Sequence, residues 1–393
     1  MKKSVSIILT ASMMISLAGT GIDYTAFASE PDDTSTALIT YNYDGSDHQR
    51  RMENLDRGLV AVNTDNGVFL SWRLLGNECS VGDVAIAPDF TVYKNGVELA
   101  KVEDSTNYLD ESGSADDVYT VAIDGGEQCE GVIPLNNNYI EIPLVRPEDE
   151  IIQYDNNGVT ESMGPLTFMP SDASCGDLDG DGEYEIIVKW TSNEKDVGEP
   201  GNPAYSGTVK FAAYKLDGTK LWDKDISLGK NVYSSAHTVQ FLVYDFDGDG
   251  KAEMTCQTSL GSTDGTGKYV TQAADPQTNP DIYNITDEEN ETTDFRGDGR
   301  IITGQEFLTV FNGETGEAMD TINLPTERVS ADSFGDDFGN RCNRFLADVA
   351  YLDGERPYAV YWRGYYGGRN GRQRTSVCGV TFDGERLSCE YNF

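Results

Sequence analysis

Two acidic loops written in the same register, Asp177-Leu178-Asp179-Gly180-Asp181-Gly182-Glu183-Tyr184-Glu185 and Asp245-Phe246-Asp247-Gly248-Asp249-Gly250-Lys251-Ala252-Glu253, constrain this chain more than any other feature. Each places carboxylates at positions 1, 3, 5 and 9 and glycine at position 6. Asp177, Asp179, Asp181 and Glu185 in one copy, and Asp245, Asp247, Asp249 and Glu253 in the other, could therefore gather hard oxygens around one Ca2+. At position 7, Glu183 or Lys251 would offer its backbone carbonyl. Four carboxylates held together without a cation would repel one another. A single copy leaves open a bare acidic turn, but two copies in one register favour calcium. An EF-hand carries a bidentate glutamate at position 12, where this chain has Val188 and Cys256. Each loop also runs into a strand-like stretch, Ile186-Ile187-Val188 or Met254-Thr255-Cys256, and not into an amphipathic helix. These are loops that feed β-strands.

The loops belong to a longer repeat. In the first unit the loop at Asp177 leads to Phe211-Ala212-Ala213-Tyr214-Lys215-Leu216-Asp217-Gly218, and in the second the loop at Asp245 leads to Phe307-Leu308-Thr309-Val310-Phe311-Asn312-Gly313. A third, degenerate unit starts at Asp348 and Asp353-Gly354 and leads to Val380-Thr381-Phe382-Asp383-Gly384. A loop, a strand and a later hairpin with an Asp-Gly or Asn-Gly turn, repeated, is how a blade of a β-propeller is written. Three units do not close a ring of four to eight blades, so an incomplete propeller over residues 146–393 is expected. The residues between Ser259 and Thr303 interrupt the second unit and read as a surface loop. Upstream, Leu59–Val62, Val68–Trp72, Phe90–Tyr93 and Tyr119–Ile123 are short β-rich runs, separated by turns such as Asp65-Asn66-Gly67 and Lys94-Asn95-Gly96. They predict a fibronectin-like β-sandwich over residues 48–145. The fold class expected is all-β.

Lys2-Lys3, an apolar stretch from about Val5 to Ala18, and Ala26-Phe27-Ala28 make residues 1–28 a secretory signal, with residues 29–47 as a linker. An uncleaved anchor is the alternative, although the stretch is short of the ~20 residues that a membrane span needs. The protein is expected outside the cell. Its net charge is −38, and removing Lys2, Lys3 and Asp23 with the signal leaves −39. Such a surface repels nucleic acid and anionic lipid, and it would meet a polyanionic polysaccharide only with divalent cations between them. No nucleic-acid or membrane partner is expected, and the chain reads as a monomer. Seven cysteines without metal or redox spacing predict no disulfide framework.

Several long motifs point to one family. Arg51–Val62, Ser71-Trp72-Arg73-Leu74-Leu75-Gly76, Gly176–Trp190, Phe241–Glu253, Gly339-Asn340-Arg341, Arg344–Ala347 and Arg363-Gly364-Tyr365-Tyr366 together closely resemble the rhamnogalacturonan lyases of polysaccharide lyase family eleven. The resemblance covers roughly residues 50–393. It implies an N-terminal β-sandwich followed by a normally eight-bladed propeller, of which this chain would hold about the first three blades. It also implies several Ca2+ ions and cleavage of the rhamnogalacturonan I backbone of pectin. Two positions associated with substrate contact depart from the family: Ser171 stands for asparagine and Thr191 for aspartate. The missing blades and these departures imply a truncated or weakened copy, so residues 29–393 alone are expected to show little or no lyase activity.

A lyase acting on galacturonate must remove the C5 proton, neutralise the carboxylate beside it and expel O4. His237, which matches a family motif, is a candidate cleft or metal-linked residue and one of four candidates for the base, with Lys189, Arg341 and Arg363, whereas His48 reads as a solvated linker residue. Lys189, Lys195, Arg341, Arg363 and Arg369 are the candidate cations for a carboxylate, with Lys189, Arg341 and Arg363 also carried as catalytic candidates. Asp172, beside Ser171, is a further candidate Ca2+ ligand. Two readings stand: a calcium-dependent lyase, or a catalytically poor, calcium-stabilised carbohydrate-binding protein. A dockerin-like role for Asp294-Phe295-Arg296-Gly297-Asp298-Gly299 is weaker, because Arg occupies position 3.

Overall fold

Short β-branched and aromatic runs between Gly-bearing turns fold as expected into an all-β chain, seen here in a computed structural model that describes residues 51–78, 87–156, 158–192, 207–234, 238–294, 301–336, 339–364 and 374–393. All of these fall within one of the chain's two units, His48–Phe393. The signal, the linker, His48, His237, Lys195, Arg369 and residues 295–299 lie outside the described residues.

Six strands come first: β1 (Val60–Thr64), β2 (Gly67–Ser71), β3 (Phe90–Lys94), β4 (Val97–Val102), β5 (Asn107–Asp110) and β6 (Tyr119–Ile123). They form two three-stranded antiparallel sheets, ordered β1-β2-β5 and β4-β3-β6. The β3–β4 turn takes φ of +53° at Asn95 and +76° at Gly96, the left-handed pair a two-residue hairpin needs. Ala61, Val68, Leu70 and Trp72 meet Phe90, Val92, Tyr119 and Val121 in one core, with the Trp72 and Phe90 rings edge to face at 5.5 Å. Removing each of the valine, leucine and phenylalanine side chains among them from water stabilises the fold by about 1.5–3 kcal/mol. A hairpin that the sequence reading did not anticipate, β7 (Glu150–Asn156) with β8 (Val159–Leu166), follows.

The remaining strands make three four-stranded antiparallel sheets, each in chain order. Sheet one holds β9 (Met169–Gly176), β10 (Glu185–Thr191), β11 (Val209–Tyr214) and β12 (Ile226–Ser227). Sheet two holds β13 (Phe241–Tyr244), β14 (Glu253–Ser259), β15 (Glu306–Asn312) and β16 (Ala318–Asn323). Sheet three holds β17 (Phe345–Ala350), β18 (Tyr358–Arg363), β19 (Ser376–Phe382) and β20 (Leu387–Asn392). Both faces of the inner strands are covered: β10, β11 and β15 are largely apolar, whereas β14 is buried throughout with a mostly polar sequence, Glu-Met-Thr-Cys-Gln-Thr-Ser. On β11, Phe211 and Ala213 enter the core between sheets one and two, while Ala212 and Tyr214 pack on the other face with Val188 and Trp190. Leu308 and Val310 of β15 meet Ala359, Tyr361 and Val380 in the core between sheets two and three. The first strands lie side by side, β13 touching both β9 and β17.

The segment between β14 and β15 differs from a bare surface loop. It holds a 3-10 turn at Val270–Ala273 and two one-turn helices, Pro280–Tyr283 and Asp287–Asn290, the second opened by a Thr286/Glu289 capping box. Val270, Ala274 and Ile282 are buried, and the Thr321 hydroxyl of β16 donates to Val270 O at 2.8 Å. Those apolar residues draw the segment onto sheet two.

Candidate metal loops and candidate cleft

The β9–β10 and β13–β14 connections are the two acidic loops, and they fold alike bond for bond. Asp177 accepts the Gly180 and Gly182 N–H groups at 2.7 and 2.8 Å; Asp245 accepts those of Gly248 and Gly250 at 2.6 and 3.0 Å. The Leu178 N–H donates to Glu185 at 2.8 Å, and the Phe246 N–H to Glu253 at 2.9 Å. The four glycines have φ between +81° and +97°, which is why the spacing demands glycine at these positions. Carboxylate oxygens of Asp177, Asp179 and Glu185, and of Asp245, Asp247 and Glu253, lie within 4.8 Å of one another. Positions 1, 3 and 9 thus come together. The Asp181 and Asp249 carboxylates are exposed and stay outside the clusters; at position 7, where a backbone carbonyl is the expected donor, the Glu183 side chain is exposed and the Lys251 ammonium pairs with Glu314 at 2.6 Å.

Burial pushes these acids up. It lifts Glu185 to about 7, Asp245 to about 6 and Glu253 to about 9, with neighbouring carboxylates adding to the effect, and it raises Asp177 and Asp247. A cation beside them would favour their ionised form. Three hard-oxygen donors converging in each loop fit Ca2+, and in the first loop an ammonium already occupies that role. Lys215 stands 2.5 Å from Asp179, 3.2 Å from Asp181 and 3.9 Å from Glu185.

A residue the sequence reading passed over sits between the loops. Glu53 is buried, accepts the Asp177 N–H at 3.4 Å, and is raised to about 7 by burial, with Asp245 and Asp177 contributing. Residues 51–58 cross all three β-connections at this end. The Arg51 N–H donates to Glu355 O at 2.9 Å, the Tyr351 hydroxyl donates to Arg51 O, and the Asp56 N–H reaches Gly182 O at 3.4 Å.

The cleft candidates lie toward the other end of the sheets. In sheet one Gly176 pairs with Glu185 at the loop end and Met169 with Thr191 at the far end. In sheet three Ala350 pairs with Tyr358 at the loop end and Phe345 with Arg363 at the far end. At about 3.3 Å per residue, Lys189 is ~13 Å and Thr191 ~20 Å along β10 from Glu185. Asp172 pairs in register with Lys189, is exposed, and belongs to neither carboxylate cluster. Ser171 is exposed on β9 and donates to Lys189 O at 3.4 Å; Thr191 is buried.

Two of the cationic candidates are enclosed by protein. Lys189 is fully buried, its Nζ donating to Val239 O at 3.0 Å, and burial lowers its pKa. Arg363 is also fully buried. It pairs with Glu306 at 2.5 and 2.8 Å and donates to Cys342 O and Thr326 O at 2.6 and 2.7 Å. Arg328 closes on the same glutamate. Burial would raise Glu306, but the two guanidinium charges outweigh it and hold the carboxyl below its ordinary value. Neither cation is open to a polysaccharide in this conformation. Arg341 is partly exposed, 3.8 Å from Asp336 through Nε. The Glu306 centre had no local sequence signal, because its members come from four distant segments.

Comparison with known proteins gives a single answer. Residues 139–393 match the family described as rhamnogalacturonan lyase family 11, C-terminal domain, and residues 50–131 match the rhamnogalacturonan I lyase β-sheet domain. The rhamnogalacturonan exolyase YesX of Bacillus subtilis (strain 168) is 42% identical over 353 residues, spanning 88% of this chain and 51% of that protein. The endolyase YesW of the same strain is 44% identical over 324 residues, spanning 81% and 46%. Among solved structures, the Bacillus licheniformis rhamnogalacturonan lyase PL11 superposes with a TM-score of 0.65 at 44% identity, over 88% of this chain and 53% of the other. The chain spans about half the length of the curated relatives it matches. Matched along nearly all of its described length, this chain belongs to rhamnogalacturonan lyase family 11.

Proposed function

We propose that the chain is a secreted, calcium-dependent polysaccharide lyase, monomeric, that cleaves the rhamnogalacturonan I backbone of pectin by β-elimination. The family match over residues 139–393 carries this reading. The two N-terminal sheets then form the fibronectin-like β-sandwich and sheets one to three the first three propeller blades, a reading supported by first strands lying side by side. The signal-like residues 1–28 support secretion.

Asp177, Asp179 and Glu185, with Asp245, Asp247 and Glu253, would hold Ca2+, whose charge relieves the repulsion within each loop. These loops stand at the opposite end of the sheets from Ser171, Thr191, Lys189, Arg341 and Arg363, so their task is to brace the fold and the chemistry belongs at the far end. Arg341 meets the uronate carboxylate there, and His237, which lies outside the described residues, serves as base toward C5–H. Ser171 contacts sugar, while buried Lys189, Thr191 and Arg363 shape the wall behind.

Incubation with rhamnogalacturonan I and Ca2+ tests the proposal. Unsaturated uronate ends absorbing in the near ultraviolet are expected, at a weak rate for residues 29–393 alone, with none from homogalacturonan; products lacking the double bond would refute β-elimination. Product length distinguishes endo from exo cleavage. A second reading, a calcium-stabilised carbohydrate-binding protein, draws on Ser171 and buried Thr191 at positions where the family resemblance implies other groups. It predicts binding without turnover in the same assay.

A further inference from the structure

The three loops occupy equivalent places but differ in the cation tethered beside them. In the third, residues 351–357, Tyr351 follows the first strand where the other loops have Asp177 and Asp245. The guanidinium of Arg356 there bridges Asp353 at 2.7 Å and Glu390 at 3.0 Å through both terminal nitrogens. In the first loop the ammonium of Lys215 fills that role; its side chain is 34% exposed and can swing into water on its flexible stem. In the second loop no counterpart is found among the described residues. Among the described residues Asp245, Asp247 and Glu253 form no ion pair, although Asp245 and Glu253 are 0% and 2% exposed. The register names the cause. Ile186 pairs with Tyr214, so Lys215 comes next, opposite Glu185; the residue opposite Glu253 in sheet two is Asn312. The neutral Asn312 side chain is occupied in accepting the Thr315 N–H at 2.9 Å.

We infer that the two loops are unequal Ca2+ sites: the loop at Asp245 is the tight one, while at Asp177 the ion must displace Lys215, which substitutes for it when metal is scarce. The third loop, with Arg356 in place, takes no ion. This inference rests on the reading of the acidic loops as Ca2+ sites, and it concerns the order in which they fill. Two buried carboxylates with no internal counter-charge gain more from a divalent cation than a cluster already holding an ammonium.

Calorimetric titration of the metal-stripped chain with Ca2+ tests it. Two classes of site are expected, separated by about tenfold or more. Lys215→Asn should tighten the weaker class toward the tighter one and lower the melting temperature of the metal-free protein. Asn312→Lys should weaken the tight class. Two equal sites in the wild type, or two classes that both substitutions leave unchanged, would overturn the inference while leaving the Ca2+ reading intact. No bound Ca2+ at all would overturn both.

Discussion

The two ends of the three sheets solve opposite electrostatic problems. At the far end, buried Arg363 and Arg328 find their counter-charge in Glu306. At the loop end, Glu53, Asp177, Asp245 and Glu253 are buried together, and among the described residues the ion pairs to carboxylates of the three loops come from Lys215 and Arg356. A charge centre closed within the protein is stable in any medium, whereas one left open needs a solute. A calcium dependence of stability is therefore expected at one end alone, and any failure at the other should ignore calcium.

Chelation should produce the largest effect. With free Ca2+ at about a hundred times the Kd of the weaker loop and about a thousand times that of the tighter, removing the ion costs about 2.7 and about 4.1 kcal/mol, or roughly 7 kcal/mol for both. Calorimetry in Ca2+ and in chelator would show this as a large drop in Tm; an unchanged Tm, with no calcium in elemental analysis, breaks the comparison at once. Next comes Glu306→Ala, which leaves two buried guanidinium groups without their partner and should cost ~3–5 kcal/mol. That loss should be the same with and without Ca2+; if calcium rescues it, the two ends are not independent.

A pH series sharpens the contrast. The folded, metal-free chain binds protons at Asp245, Glu185 and Glu253 more tightly than the unfolded chain does, with folded values of about 6, 7 and 9. Their contribution to stability is therefore complete below the ordinary carboxylate pKa and is lost as pH rises through those values. In chelator, Tm should fall between pH 5 and pH 9. With saturating Ca2+ the fall should vanish, since the ionised carboxylates are the ligands. The smallest effect is expected at the exposed Lys251–Glu314 pair, where Lys251→Ala should change stability by less than about 1 kcal/mol.

The parts of this structure legible from the sequence are the local ones. Asp-x-Asp-Gly-Asp-Gly spacing specifies a loop whose own backbone N–H groups satisfy Asp177 and Asp245, and Asn95-Gly96 specifies its hairpin without outside help. Contacts made across the fold left no such trace. Glu53 meets Asp177 from 124 residues away, and Arg356 meets Glu390 across three strands. Lys189 and Arg363 read from the sequence as cations for a substrate carboxylate, yet both are interior and one is neutralised by a distant glutamate. Between β14 and β15, a Thr/Asp/Gly-rich composition concealed the few apolar residues, Val270, Ala274 and Ile282, that fold the segment down.

Hydrogen exchange on the Ca2+-loaded chain, with and without a rhamnogalacturonan I oligosaccharide, tests the separation of the two ends most directly. Protection by the sugar is expected in residues 169–173, 187–192 and 341–346, with exchange in 177–185 and 245–253 unchanged. Protection confined to the two acidic loops would place the polysaccharide at the metal end and contradict this account.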